Sequence, residues 1–278
     1  MKEALLYDKL TNLKVQCNLC RLQCKIGDGK RGSCGVRENI NGILYSLSFD
    51  RVIAANVDPI EKKPLFNFYP GTFSYSISTM GCNFRCLHCQ NSDISQPPRY
   101  SRKSSFPGEK MTPEQIVREA KSKNCLSISY TYTEPTIFFE LAYATSRLAK
   151  ESGLKNVFVS NGYMSREALD MMQGSLDAIN VDLKSFRDSH YRKVCGARLA
   201  GVLDSLKYIK KLGIWLEVTT LIIPGYNDSA EEFSDIANFI KNELGEETPW
   251  HVTAFFPTYK LMDAGRTPSE TLRQAREI

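Results

Sequence analysis

The sequence predicts an α/β fold: six parallel strands with helices between them, forming a partial open barrel or a doubly wound sheet behind a small cysteine-rich segment. Three observations carry this. Short runs rich in Val, Ile, Tyr and Phe alternate with amphipathic helical stretches after residue 72. Strand–helix alternation implies parallel pairing through right-handed crossovers. Four of the nine cysteines crowd between Cys17 and Cys34, where long apolar periodicity is missing.

The first part, residues 1–72, is expected to form a cysteine-rich metal-binding unit and connector. It contains a candidate hairpin, with strands at 43–49 and 52–55 turning at Asp50-Arg51. A proline-containing connector, Asp58-Pro59-Ile60-Glu61-Lys62-Lys63-Pro64, follows. In the second part, residues 73–278, strands are expected at 74–79, 126–130, 157–160, 178–182, 215–223 and 252–256. Thr112-Pro113-Glu114-Gln115 reads as a helix start, with a capping Thr, Pro at the first helical position and Gln three residues after the cap. Thr267-Pro268-Ser269-Glu270 repeats that logic, and 199–212 and 230–244 show helical apolar spacing. Residues 96–110 are rich in Pro, Ser and basic side chains and read as a long loop, whose Arg99, Arg102 and Lys103 are candidates to touch a macromolecular substrate. Six strands fall short of a closed eight-stranded barrel. The last helical pattern is still running at Ile278, so the natural chain is expected to continue.

At 278 residues the chain is long enough for one large domain with a smaller attachment. Its 42% hydrophobic and 24% charged content is ordinary for a globular protein, and a net charge of +5 without a concentrated basic patch argues against nucleic acid. No stretch approaches the roughly 18 apolar residues of a membrane span. The opening residues lack the apolar core of a secretory signal. A reducing cytoplasm is the expected location, and there clustered cysteines indicate metal or redox chemistry rather than disulfides.

The most specific signal is Gly81-Cys82-Asn83-Phe84-Arg85-Cys86-Leu87-His88-Cys89-Gln90-Asn91, a Cys-x3-Cys-x2-Cys loop directly after an apolar strand. Thiolates are soft ligands that suit iron–sulfur chemistry. A four-iron cluster held by Cys82, Cys86 and Cys89 alone keeps one iron open for a substrate or cofactor. The competing arrangement is a zinc knuckle with His88 as the fourth ligand. The motif resembles that of the radical S-adenosylmethionine (SAM) superfamily. That resemblance implies a partial open (β/α)6 TIM-type barrel, a [4Fe–4S] cluster and SAM. The open iron would chelate SAM, and reductive cleavage would give a 5′-deoxyadenosyl radical that abstracts hydrogen from a substrate.

Parallel barrels place functional groups at the C-terminal ends of their strands. Glu134, in Tyr132-Thr133-Glu134-Pro135, resembles by position the acidic residue of the family's Gly-Gly-Glu motif, which binds the SAM amino group; Tyr132 and Thr133 stand where the glycines would be. Ser160 and Asn161 end the next strand and are candidates for the ribose hydroxyls or the SAM carboxylate. Asp182 and Lys184 share one side of the following strand. They resemble the Asp-x-Lys element that contacts SAM in the pyruvate formate-lyase activating enzymes. Ile223, in Ile223-Pro224-Gly225, resembles the turn that flanks adenine, and His251 resembles a histidine that those enzymes place near SAM. Across the chain the resemblance is to the radical SAM member of the AmmeMemoRadiSam system. It rests also on the connector through Phe66 and on Tyr191-Arg192-Lys193-Val194-Cys195-Gly196-Ala197-Arg198. It implies a flavodoxin- or ferredoxin-type reductant and admits a protein substrate.

Cys17, Cys20, Cys24 and Cys34 offer four thiolates for a closed site, either structural zinc or an auxiliary iron–sulfur centre. Cys125 reads as a small core residue. Cys195 is a candidate catalytic thiol, to quench a substrate radical or carry a group, or else a packing residue. A glycyl-radical-enzyme activase is one form of the radical function. A non-catalytic electron-transfer iron–sulfur protein and a zinc-stapled binding module are the alternatives to it.

Overall fold

The computed structural model describes residues 1–100 and 106–278. Its centre is an eight-stranded sheet. Six strands run parallel: β8 (Phe73–Thr79), β10 (Ser127–Tyr130), β11 (Lys155–Ser160), β12 (Ala178–Asp182), β13 (Trp215–Ile222) and β14 (Trp250–Ala254). On the far side of β8 lie β7 (Arg51–Pro59) and β9 (Glu109–Lys110), both antiparallel to their neighbours. The order β14-β13-β12-β11-β10-β8-β7-β9 leaves the sheet open, with β14 and β9 at its two edges. This is a partial TIM-type barrel. β10 is buried along its whole length, as parallel strands covered on both faces must be.

The helices α1 (Ser92–Ser95), α2 (Pro113–Ser122), α3 (Phe139–Glu151), α4 (Arg166–Met172), α5 (Asp188–His190), α6 (Leu199–Lys211), α7 (Ala230–Phe239) and α8 (Ser269–Glu277) supply the crossovers and the final segment. α2 begins with the expected capping box: Gln115 N donates to Thr112 Oγ1 at 3.3 Å and Thr112 N to Gln115 Oε1 at 2.8 Å. α7 and α4 are capped likewise by Ser229 and Ser165. α7 passes into one π-helical turn, Ile240–Leu244, which accounts for the longer helical pattern of 230–244. The packed interior is aromatic, with Phe84, Tyr130, Phe138, Phe139 and Phe158 sealed from solvent. Side chains of this size contribute about 1.5–3 kcal/mol each when fully buried.

The N-terminal part folds as two small antiparallel sheets: β1 (Lys2–Glu3), β6 (Ile43–Ser46) and β5 (Arg37–Ile40) in one, β2 (Tyr7–Lys9), β3 (Val15–Cys17) and β4 (Lys25–Ile26) in the other. Two expectations need correction here. The hairpin is not 43–49 with 52–55. β6 pairs with β5 through Asn41-Gly42, whose φ angles of 53° and 78° fit the primed turn that Asn-Gly favours, and β7 joins the main sheet instead. Thr267 does not cap α8. Its hydroxyl donates to Ile222 O at 2.5 Å and accepts from Phe255 N at 2.7 Å, which ties β13 to the end of β14. No helix is long and apolar enough to cross a membrane among the described residues.

Candidate active site

The loop carrying Cys82, Cys86 and Cys89 leaves the C-terminal end of β8. It starts at Gly81, with φ of 107°, where an added Cβ would lie 2.8 Å from Val36 Cγ1. A side chain there would collide with the N-terminal part. Cys86 is buried and Cys82 and Cys89 are half-buried. Phe84 N donates to Cys82 Sγ at 3.3 Å, and Cys89 Sγ lies 3.2 Å from Ser95 Oγ. Arg99 grips the loop from outside, donating to Cys82 O at 2.5 Å and Phe84 O at 2.6 Å. It therefore braces the loop rather than reaching for a macromolecule. Arg102 and Lys103 lie outside the described residues.

All nine cysteines are free, and no three His, Cys, Asp or Glu side chains among the described residues gather closely enough to share a single metal ion. Three soft thiols spread around one loop suit a polynuclear group that fills the space between them. Buried polar atoms without partners stand nearby: Thr79 Oγ1, Asn83 Nδ2 and His88 Nδ1. Burial and the Lys184 charge pull the His88 imidazole down to about 3, so the ring is neutral.

The strand ends gather around this loop. Tyr132 takes φ of 62°, the left-handed conformation in which a glycine is at ease. A tyrosine thus makes the left-handed turn before Glu134. Asn91 Nδ2 donates to Tyr132 O at 2.7 Å, linking the cluster loop to the end of β10. The Tyr132 hydroxyl donates to Asp58, and its ring lies 4.6 Å from Lys63 Nζ. Lys63 and Asp58 form a buried pair at 2.7 Å.

Glu134 is buried, and both of its oxygens are engaged. Oε1 accepts from Ser160 Oγ at 2.8 Å and Thr136 N at 3.0 Å, and Oε2 accepts from Asn161 N at 2.8 Å. Burial raises this carboxyl above its usual range against the pull of those donors. Asn161 Nδ2 donates to Asn83 Oδ1 at 2.7 Å and lies 3.9 Å from Cys82 Sγ. Glu134, Ser160, Asn161 and the Cys82 turn are therefore one network.

A second group surrounds Cys86. Lys184 Nζ pairs with Asp182 Oδ2 at 2.8 Å. Burial alone would lower the Lys184 ammonium, but Asp182, Cys86 and Cys195 hold it well above its ordinary value. Cys195 is fully buried beside Cys86, and its thiol lowers the Cys86 thiol's pKa. The backbone fixes this contact: Arg85 N donates to Cys195 O at 2.8 Å and Leu87 N to Val194 O at 3.0 Å. Cys195 thus stands behind Cys86, sealed from solvent. Ile223 is buried with Phe255 and Leu261, and Leu87 packs on that group.

His251 stands apart from these residues. Its Nε2 lies 2.6 Å from Glu217 Oε2, and its ring is 4.9 Å from that of Phe66. Glu217 also accepts from Phe66 N at 3.0 Å and Asn67 N at 2.9 Å. Burial would raise Glu217, but these partners, with Trp215, bring it below its usual value. The pair pins residues 64–67 to β13. Sequence reasoning gave Arg99 another role and missed Asn83 and Asn91. The two asparagines could have been suspected from their places inside and just after the cysteine motif.

Comparison with known proteins agrees with this geometry. The model of the radical SAM superfamily matches residues 76–240. The chain is 50% identical, over its full length and 81% of the other, to the uncharacterized protein MJ0808 of Methanocaldococcus jannaschii. It is 24% identical to the pyruvate formate-lyase-activating enzyme of Clostridium pasteurianum, over 65% of this chain and 76% of that enzyme. Among solved structures, Streptococcus suis SuiB bound to S-adenosylmethionine superposes with a TM-score of 0.56 at 15% identity, covering 74% of this chain. The chain spans 47% of that SuiB structure's length.

Proposed function

The chain belongs to the radical SAM superfamily and is an enzyme related to the pyruvate formate-lyase activating enzymes, and from that premise we propose that Cys82, Cys86 and Cys89 hold the catalytic [4Fe–4S] cluster and that the surrounding strand ends hold SAM. The observation that carries this reading is the convergence on one loop: three thiols after β8, bound by hydrogen bonds to the ends of β10 and β11 and packed against Cys195. Such a cluster, when bound, supplies one electron that cleaves SAM to a 5′-deoxyadenosyl radical able to abstract hydrogen from a substrate.

The chain's own residues position these partners. Glu134 sets the spacing between the ends of β10 and β11 through Ser160 and Asn161, so its part in holding SAM is indirect unless a donor is exchanged. Asn161 orients the Cys82 turn through Asn83. Lys184 brings a half-buried positive charge to Cys86, favouring the thiolate that a metal requires. The unpartnered Thr79 hydroxyl and His88 Nδ1 are free to bond a polar cofactor. Ile223 offers an apolar wall for adenine. His251, held by Glu217, is assigned to the 64–67 anchor.

A four-cysteine site at Cys17, Cys20, Cys24 and Cys34 completes the metal complement. The enzyme draws its electron from a low-potential donor protein of the flavodoxin or ferredoxin type, in a reducing compartment. A peptide or protein substrate is one fit, as the SuiB structure with precursor peptide SuiA illustrates for that enzyme.

The test is anaerobic reconstitution, reduction with dithionite, addition of SAM and chromatography for 5′-deoxyadenosine. Wild type should form it and Cys86→Ala should not. An intact cluster that yields no product would refute the proposal.

A further inference from the structure

The four N-terminal cysteines come from separate strands and loops yet line one hollow. Cys17 ends β3, Cys20 and Cys24 lie in the loop before and up to β4, and Cys34 precedes β5. All four line one small hollow, and Arg37 and Asn83 line it with them. Leu19, Leu22 and Ile26 provide the rest of the wall, so the hollow is apolar except for thiols, guanidinium and amide.

Arg37 is the independent sign that something charged belongs there. It is 1% exposed, and Nη2 is engaged by Glu140 and by Leu5 O at 2.9 Å. Nε and Nη1 have no partner at all. Two buried guanidinium N–H donors left unmet cost several kcal/mol in an apolar hollow. Asn83 Nδ2, on the same wall, is also unpartnered. Donors of this kind, placed beside four thiols, are the surroundings of a buried anionic metal–thiolate group, whose sulfurs accept hydrogen bonds.

The spacing chooses between metals. A zinc ion draws four sulfurs to about 2.3 Å from one point. Here no three of the thiols gather on a point, and they stand instead around a hollow. A [4Fe–4S] cube is instead reached by each sulfur at its own corner, and its sulfides accept hydrogen bonds from donors such as Arg37 and Asn83. Its position matters as well. Asn83 lines this cavity and is the neighbour of Cys82, and its Oδ1 is held by Asn161 in the SAM site. One residue therefore separates the two metal sites.

We propose that Cys17, Cys20, Cys24 and Cys34 hold a second, fully thiolate-ligated [4Fe–4S] cluster, with Arg37 as its buried counter-charge, in electronic contact with the cluster of Cys82, Cys86 and Cys89. It rests on the reading that these four cysteines form a metal site and fixes the occupant and its role. A reduced one-electron donor protein gives one electron to this cluster, reducing one ferric iron, and the electron passes on to the SAM cluster with no bond made and no proton moved. Four cysteine ligands leave no open iron here, so SAM is bound only at the other site.

The experiment is metal analysis of anaerobically reconstituted protein, joined to electron paramagnetic resonance of the reduced state. Wild type should hold about eight irons and no zinc, and the triple variant Cys82→Ala/Cys86→Ala/Cys89→Ala about four. Cys17→Ala/Cys20→Ala should also keep about four, and only its signal should shift on adding SAM. The doubly reduced wild type should show broadening from spin coupling that neither variant shows. One zinc with about four irons in wild type would overturn the iron assignment while leaving a metal site in place. About four irons in wild type, with neither zinc nor iron in the triple variant, would overturn the site itself. A wild-type spectrum equal to the sum of the two variants' spectra would overturn the electronic contact. The wild-type counts decide the first two points even where a variant does not fold.

Discussion

Glu134 shows how a residue's type can be read before its partners can. Its place after a strand marks it as an acid at the site, but its donors, Ser160 and Asn161, sit on the neighbouring strand. Glu134→Gln would turn one acceptor into a donor that faces other donors. The expected loss is about 1–3 kcal/mol, read by denaturant unfolding of metal-free protein; an unchanged midpoint would mean the network tolerates the swap. The Asp58 contact with Lys63 was equally invisible, because nothing in the connector's sequence marks these two charges as buried. Burial alone would raise Asp58, but hydrogen bonds from Lys62, Lys63 and Tyr132 hold it well below the carboxylate range. A lowered folded value stabilises above the unfolded carboxyl's pKa of about 3.9, and the gain is lost as pH falls toward the folded value. Asp58→Asn should abolish that acid-dependent loss and leave Lys63 buried without its counter-charge, costing about 3–5 kcal/mol at neutral pH. Thermal unfolding against pH checks both; equal acid sensitivity in the two proteins would refute the assignment. By contrast the grouping of Cys82, Cys86 and Cys89 was legible outright, since all three lie in one short loop.

At the level of elements, the six parallel strands were legible because apolar β-rich runs alternate with amphipathic helices, and their ends shifted by only a few residues. The hairpin was misread because two apolar runs flank Asp50-Arg51, whereas the stronger turn signal, Asn41-Gly42, lies just upstream. Thr267-Pro268 imitates the Thr112-Pro113 start, yet its hydroxyl is consumed by β13 and the end of β14. What sequence could not show is how the turn after Cys34 clamps the 97–99 turn. Gly35 has φ of 78°, and a Cβ there would lie 2.5 Å from the Pro98 backbone. Gly35→Ala should force Pro98 outward and loosen the Arg99 grip on Cys82 O and Phe84 O, with a backbone cost of about 1–2 kcal/mol before any clash. The expected outcome is faster iron loss from the Cys82 site under chelator. Thr112→Ala, which loses about 1 kcal/mol of cap far from the loop, serves as the control and should leave that rate unchanged. Equal rates for Gly35→Ala and wild type would show that the clamp does not support the cluster loop.

Over the whole molecule, the change in composition near residue 72 suggests a cut, but hydrogen bonding crosses it. β7 pairs with β8 from Val52 opposite Thr79 to Pro59 opposite Phe73, so the barrel's first parallel strand is covered by a strand from the cysteine-rich side. The two parts are bound elsewhere too. Glu140, on α3, meets Arg37 and accepts from Leu5 N at 2.8 Å, and Arg21 donates to Met164 O at 2.9 Å while pairing with Asp204. A fragment of residues 73–278 would bare the edge of β8, whose residues after Phe73 are otherwise all buried, and would leave Glu140 buried without its guanidinium. An uncovered edge strand, with its unpaired N–H and C=O groups, recruits other chains, and an unpaired buried carboxylate costs about 3–5 kcal/mol. The fragment should therefore aggregate on expression, while the full chain stays dispersed under the same conditions. Size-exclusion chromatography with circular dichroism reads the difference. A monodisperse, helical fragment that retains its irons would show that the barrel stands alone and that β7 is an accessory to it.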